Sequence, residues 1–146
     1  MISVRGYNKG DVYNLYDVKS MFANDPGVYE RIESSFDKPS VFAKTLCDEF
    51  GIVAIFGGNL LWSGCMEIWS VTSNKVRLYP LSYTKACLQY LLWAKREFKI
   101  HRFQASGLCS VKSLEGWFAT LGFHIEGTME KYGPDGSDFY LYARTD

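Results

Sequence analysis

Along the chain the apolar positions change period several times, and each change marks a new element. A short strand is expected over 2–5. Asp11-Val12-Tyr13-Asn14-Leu15-Tyr16 then carries apolar and aromatic residues at helical spacing. Asp25-Pro26 supplies an N-cap followed by a first-turn proline, which predicts a second helix ending near Phe36, with Pro39 closing the region. From there the pattern shortens to β-rich runs over 41–47, 52–56 and 65–71. Glu49-Phe50-Gly51 and the glycine-rich Gly57-Gly58-Asn59 separate them, so the three runs predict an antiparallel meander.

Beyond Thr72-Ser73-Asn74 the helical period returns over 80–98, where Cys87, Leu91, Ala94 and Phe98 share one face. A strand is expected over 101–105. Leu114, Trp117, Phe118 and Leu121 then follow the i, i+3, i+4, i+7 rule of a buried helical stripe, and Gly122 is placed to end that helix. A strand beginning over 123–126, the turn residues Gly133-Pro134-Asp135-Gly136 and an alternating strand over 139–144 predict a closing hairpin. The order is β-α-α-β-β-β-α-β-α-β-β, an α/β (α+β) class chain with a mixed, mostly antiparallel sheet flanked by helices. With no internal repeat, low-complexity tract or linker, residues 1–146 read as one domain.

Composition narrows the functional classes. The 146 residues are 47% hydrophobic and 22% charged, enough for a real core. Sixteen basic residues balance sixteen acidic ones, which removes the bulk attraction behind general nucleic-acid or anionic-membrane binding. The most apolar run, 52–62, is short of the roughly 20 residues that span a bilayer and is broken by glycine, so no membrane span is expected. The N-terminus lacks a basic region followed by an apolar one, which points to synthesis and action inside a cell. Cys47, Cys65, Cys87 and Cys109 form no C-x-x-C pair and read as free, mostly buried thiols. With only His101 and His124 available, a three-histidine metal site is excluded, and no metal is expected.

The element order, together with Leu121-Gly122-Phe123 before a strand containing Glu126-Gly127, resembles the GNAT superfamily of acyl-CoA N-acyltransferases over essentially the whole chain. More narrowly, Gly57-Gly58-Asn59, then Trp69-Ser70-Val71-Thr72-Ser73-Asn74 and Val76-Arg77-Leu78, is similar to the GNAT-like internal virion proteins of Autographiviridae-type short-tailed phages. The superfamily resemblance implies acetyl-CoA held where the fourth strand splays from the fifth. Its pyrophosphate would rest on backbone N–H groups in an R/Q-x-x-G-x-G/A loop at the next helix start, where free donors and a partial positive charge favour an anion. The corresponding stretch is Arg77-Leu78-Tyr79-Pro80-Leu81-Ser82, so the resemblance assigns acetyl-CoA to Val71, Arg77, Ser82 and the backbone of that junction.

Several positions depart from that pattern. Pro80 replaces the first glycine and Ser82 the second; proline has no N–H to donate, its ring blocks close backbone approach, and it is also a good first helical residue. Counting back from Leu121-Gly122-Phe123, the asparagine that often begins the last helix falls on Val111. The tyrosine that often protonates the leaving thiolate falls on Phe118, which has no proton to give. Glu67, in the fourth strand, is the candidate base for an amine, against its ordinary reading as an exposed strand residue; Glu130 is a second candidate.

Lys95, Arg96, Lys99, His101 and Arg102 cluster at a helix C-terminus, where they answer the helix dipole or meet an anion. Tyr7, Tyr13, Tyr16 and Tyr29 populate an N-terminal region where an exposed aromatic patch would suit a protein interface. No G-x-S-x-G elbow or P-loop is present. Two readings follow. The first is a phage GNAT-fold protein with an eroded acetyl-CoA motif, a virion component or host-interacting module with a protein partner in the host cytoplasm or the virion. The second is an N-acetyltransferase that moves an acetyl group from acetyl-CoA to a primary amine.

Overall fold

The computed structural model describes residues 2–15 and 27–146. In chain order the elements are β1 (Ser3–Gly6), a 3-10 helix (Asp11–Asn14), α1 (Val28–Phe36), β2 (Val41–Asp48), β3 (Gly51–Trp62), β4 (Cys65–Thr72), a second 3-10 helix (Asn74–Leu78), α2 (Pro80–Phe98), β5 (Arg102–Leu108), α3 (Ser113–Thr120), β6 (His124–Met129) and β7 (Phe139–Arg144). The strands form one sheet in the order β1-β2-β3-β4-β5-β7-β6. Every neighbouring pair is antiparallel except β4 and β5, which run parallel because α2 carries the chain back across the sheet between them.

Two cores lie on opposite faces of this sheet. On one, the α2 stripe Ala86, Cys87, Tyr90, Leu91 and Ala94, with Phe118 of α3, packs on Leu46, Phe56, Met66, Phe103, Ala105 and Tyr142. On the other, Val12, Leu15 and Ile32 of the N-terminal elements cover Ile52, Ile55 and Val71. The α2 period seen in the sequence is therefore the packed stripe, with Pro80 at its first helical position. Gly122, at φ +87, follows α3 in the left-handed conformation that a glycine adopts without strain.

The structure differs from the expected elements in four places. Residues 11–14 make a 3-10 turn instead of a helix, because the Asp11 carboxylate folds back onto the Asn8 N–H (2.8 Å), the Arg5 guanidinium (2.8 and 2.9 Å) and the Thr45 hydroxyl (2.8 Å). Tyr16 and Asp25-Pro26 lie outside the described residues, and α1 begins after Gly27. Gly57-Gly58-Asn59 is not a turn: β3 runs straight through it. A Cβ at Gly58 would press into the Met66 side chain (Cγ 2.7 Å), and one at Gly57 into the backbone at Ala43 (Cα 2.9 Å), so these glycines permit close packing inside the sheet. Finally, β5 starts after His101 and extends to Leu108.

Candidate functional site

The one parallel pairing creates the feature around which the candidate residues gather. β4 and β5 are bonded only over Cys65↔Arg102, Met66↔Phe103 and Glu67↔Gln104. Past that point β4 stays paired with β3, and β5 with β7, so the two strands part and leave a fork whose last rung is Glu67–Gln104. Each branch is held straight by its outer neighbour.

On the α1 face of the fork, register aligns Asn59, Glu67 and Gln104 in a row across β3, β4 and β5. Gln104 Nε2 donates to Glu67 Oε2 at 3.3 Å, while Gln104 Oε1 accepts from Arg102 Nε at 3.1 Å. Arg102 in turn donates both terminal nitrogens to the Glu126 carboxylate (2.9 and 2.7 Å), and this bond holds Glu126 below its ordinary pKa. The chain of bonds fixes the Gln104 amide so that its N–H₂ faces Glu67. Glu67 is half-buried and oriented, not an ordinary exposed strand residue. Beside it the Asn59 Oδ1 is buried without a hydrogen-bond partner among the described residues, an acceptor that most folded chains would satisfy. Asn59 escaped the sequence reading because only the β3–β4 register brings it opposite Glu67.

On the α2 face, side chains of α2 and α3 meet beside β4 past the fork. The Tyr83 hydroxyl, on the first turn of α2, hydrogen-bonds the Ser70 hydroxyl of β4 past the fork. The Trp117 indole of α3 stacks on the Tyr83 ring at 5.5 Å and 7°, and its Nε1 donates to Thr84 Oγ1 at 3.2 Å. Burial raises the Tyr83 hydroxyl well above its ordinary pKa and pushes the neighbouring Cys87 thiol up to about 12, so both stay neutral. Phe118 lies deeper, stacked on Tyr142 at 4.2 Å. Gly107 lets α3 lie against β5, since a Cβ there would sit 2.8 Å from the Tyr142 ring and 3.2 Å from Leu114. Tyr79 and Trp69 point elsewhere. Tyr79 donates to Asp48 Oδ2 (2.8 Å), and Trp69 stacks on Phe36 (4.3 Å, 11°) on the opposite face.

The loop into α2 is anchored by Asp48, whose carboxylate also takes Lys75 Nζ at 2.7 Å; that bond holds Asp48 at about 2. Ser73 caps the 3-10 helix, accepting from the Lys75 N–H at 3.3 Å and donating to the Val53 carbonyl at 2.9 Å. Arg77 is exposed and makes no ion pair among the described residues. Because Pro80 has no N–H and the Tyr83 N–H bonds Tyr79 (2.9 Å), the first turn of α2 offers only the Leu81 and Ser82 N–H groups to a ligand. Leu78 and Leu81 stand out into solvent there, 70% and 84% exposed. The Val71 side chain is buried in the smaller core.

The remaining candidates fall away from the fork. Glu130 is exposed beyond the end of β6, at the far edge of the sheet. The basic cluster is dispersed: Lys95 reaches the Asp146 carbonyl at 2.5 Å, and Arg102 is engaged by Glu126. Tyr7 donates to Glu33 and packs edge-on against Phe36 (5.1 Å), while Tyr13, 50% exposed, sits 6.0 Å from Tyr29, so Tyr7 serves the N-terminal packing and Tyr13 stands at the surface. Among the described residues no group of three His, Cys, Asp or Glu side chains could hold a metal, and no helix is long and apolar enough to cross a membrane.

No family model matches the sequence, and no curated protein matches it either. Solved structures do match in fold. An acetyltransferase of the GNAT family from Streptococcus pneumoniae superposes with a TM-score of 0.74 over 100% of both chains at 14% identity. A GNAT-family acetyltransferase from Bacillus anthracis gives 0.74 at 19% identity, covering 99% of this chain and 94% of that one. The ribosomal-protein-S18-alanine N-acetyltransferase from Escherichia coli gives 0.74 at 12% identity, over 99% and 93%. With these likenesses the forked sheet and its flanking helices are the GNAT fold.

Proposed function

We propose that on this GNAT fold the chain serves as a binding module, with the path an acyl-CoA would take filled by its own side chains. Its partner is a protein, either another component of a phage virion or a host protein. The observation that carries this reading is the Ser70–Tyr83–Trp117 assembly. An acyl donor resting on the start of α2 and reaching the fork must run between that first turn, β4 and α3, and two stacked rings occupy this space. The residues present therefore fit acetyl-CoA poorly. Pro80 withdraws a backbone donor where the pyrophosphate would rest, and the exposed Leu78 and Leu81 flank that spot with apolar surface better suited to a protein contact than to a polyanion. Phe118 also has no proton for a leaving thiolate. The narrower resemblance to phage internal virion proteins supports the class of partner.

A second reading, an N-acetyltransferase acting on a primary amine, is favoured by the opposite face of the fork. There the half-buried Glu67 carboxylate, oriented by Gln104, can accept a proton from an amine. Calorimetric titration with acetyl-CoA and with desacetyl CoA, on the natural chain and on Arg77→Ala, separates the two. The binding-module reading expects no heat and no thermal shift at millimolar ligand. Saturable, Arg77-dependent binding, worth about 2.7 kcal/mol of added stability at about 100 times Kd, overturns it in favour of the enzyme.

A further inference from the structure

We propose that the cleft at the β1–β2 edge of the sheet is a binding site for a carboxylate with an aromatic or aliphatic body, its charge paired with Lys44. The cleft is distant in sheet order from the β4/β5 fork and stands independently of how the fork is used. β1 stops pairing at Gly6↔Lys44, so among the described residues no strand continues along the outer edge of the first residues of β2. An open groove of about 420 Å³ lies along that edge, bordered by Tyr7, Phe36, Phe42 and Trp93. That volume lies within the range of about 300–1,000 Å³ of small-ligand pockets.

The polar groups of the cleft say what it would take. The Tyr7 hydroxyl is donated to Glu33, the Gly6 carbonyl accepts from Arg5 (2.9 Å), the Ala43 carbonyl from the Tyr7 N–H (3.2 Å), and the Phe42 carbonyl from the Tyr90 hydroxyl (2.6 Å). Lys44 is different. Its ammonium lies 5.1 Å from the centroid of the Trp93 ring and meets no carboxylate or carbonyl among the described residues. Every other half-buried cation there has one: Lys75 has Asp48, Arg102 has Glu126, Arg144 has Asp146 and Lys95 has the Asp146 carbonyl. Among the described residues the Lys44 ammonium meets only the face of the Trp93 ring, which leaves it able to pair with an anion entering the cleft. Among the described residues, a cation without a carboxylate partner beside the engaged Gly6, Tyr7, Phe42 and Ala43 groups fits a singly charged group on an apolar body, and offers too few donors for a phosphate. The anion is either a free small acid or the C-terminal apolar residue of another chain, which carries the same two features.

The test is titration of the full chain with 4-phenylbutyrate, alongside the neutral 4-phenylbutanol, followed by tryptophan fluorescence and calorimetry. Lys44→Met, which keeps the apolar stem and removes the charge, is the paired variant, with circular dichroism confirming its fold. The proposal expects saturable binding of the carboxylate, weakened about tenfold or more in Lys44→Met, while the alcohol binds both chains equally. A peptide ending in a free phenylalanine carboxylate and its C-terminal amide distinguish the sources: a chain terminus predicts that the free acid binds more tightly than phenylbutyrate and that the amide binds at least about tenfold more weakly than the acid. No saturation at about 10 mM, or equal carboxylate affinity in Lys44→Met, overturns the proposal.

Discussion

The two faces of the β4/β5 fork are built from the same strands and have opposite characters. On the α1 face, Asn59, Glu67 and Gln104 form a polar row, held in place by Arg102 and Glu126, with one acceptor left unsatisfied. On the α2 face, Ser70, Tyr83 and Trp117 close into a packed, internally bonded unit. Alternation along β4 makes this possible, because Glu67 and Ser70 point to opposite faces and answer to different helices. The contrast teaches that in this chain the fork follows from pairing, since past Glu67–Gln104 β4 and β5 are each bonded to a different outer strand.

The largest effect that sharpens this contrast is expected at Tyr83. Replacing it by alanine removes a buried ring from between α2, β4 and Trp117, and should cost about 3–5 kcal/mol of stability in urea unfolding. A cost below about 1 kcal/mol would mean that the stack is loose and the α2 face effectively open. Next comes Gly58→Ala, which tests the close packing of β3 beneath the fork. The new methyl meets the buried Met66 side chain and the Tyr90 hydroxyl (3.3 Å), and should cost about 1–3 kcal/mol by the same measurement.

A smaller effect concerns the loop leading into α2. The Lys75 bond holds Asp48 at about 2 against its ordinary 3.8, so the ionised carboxylate stabilises the fold above the ordinary value. That stabilisation is lost as the pH falls through 3.8 towards 2. Melting temperatures of Asp48→Asn between pH about 4 and 2 should therefore fall less steeply than those of the natural chain. The smallest effect is expected on the polar face. Asn59→Ala deletes an acceptor that has no partner among the described residues, so stability should change by less than about 0.5 kcal/mol or rise. A loss of 2 kcal/mol or so would show that the side chain is satisfied after all.

Much of this arrangement was legible in the sequence, and the reasons for the rest are physical. α2 and β7 were readable to the residue because Pro80 fixes a helix start, the Cys87–Leu91–Ala94 stripe fixes its period, and Gly133–Gly136 precedes a clean alternation. The path of β3 was not, since glycines that end a strand and glycines that admit a neighbour look alike until Met66 is placed against them. Asp11 hid a tertiary knot behind helical spacing. At the fork, Glu67 was singled out from its strand alone, and Asn59 and Gln104, which the register sets beside it, were not. The departures at Pro80 and Phe118 were visible against the resemblance, but not their consequence. Trp117 joins Thr84 from 33 residues away, and no local pattern pairs them.

The central claim, that the α2 face of the fork is closed to an acyl donor, is tested most directly at the Trp117 indole. Its Nε1–H, bonded to Thr84, gives one ¹⁵N–¹H resonance that disappears in Trp117→Phe and is thereby assigned. The measurement is to follow that resonance while acetyl-CoA is added to millimolar excess. The account predicts that it stays where it is; a saturable shift, with the stack opening around the ligand, would contradict it.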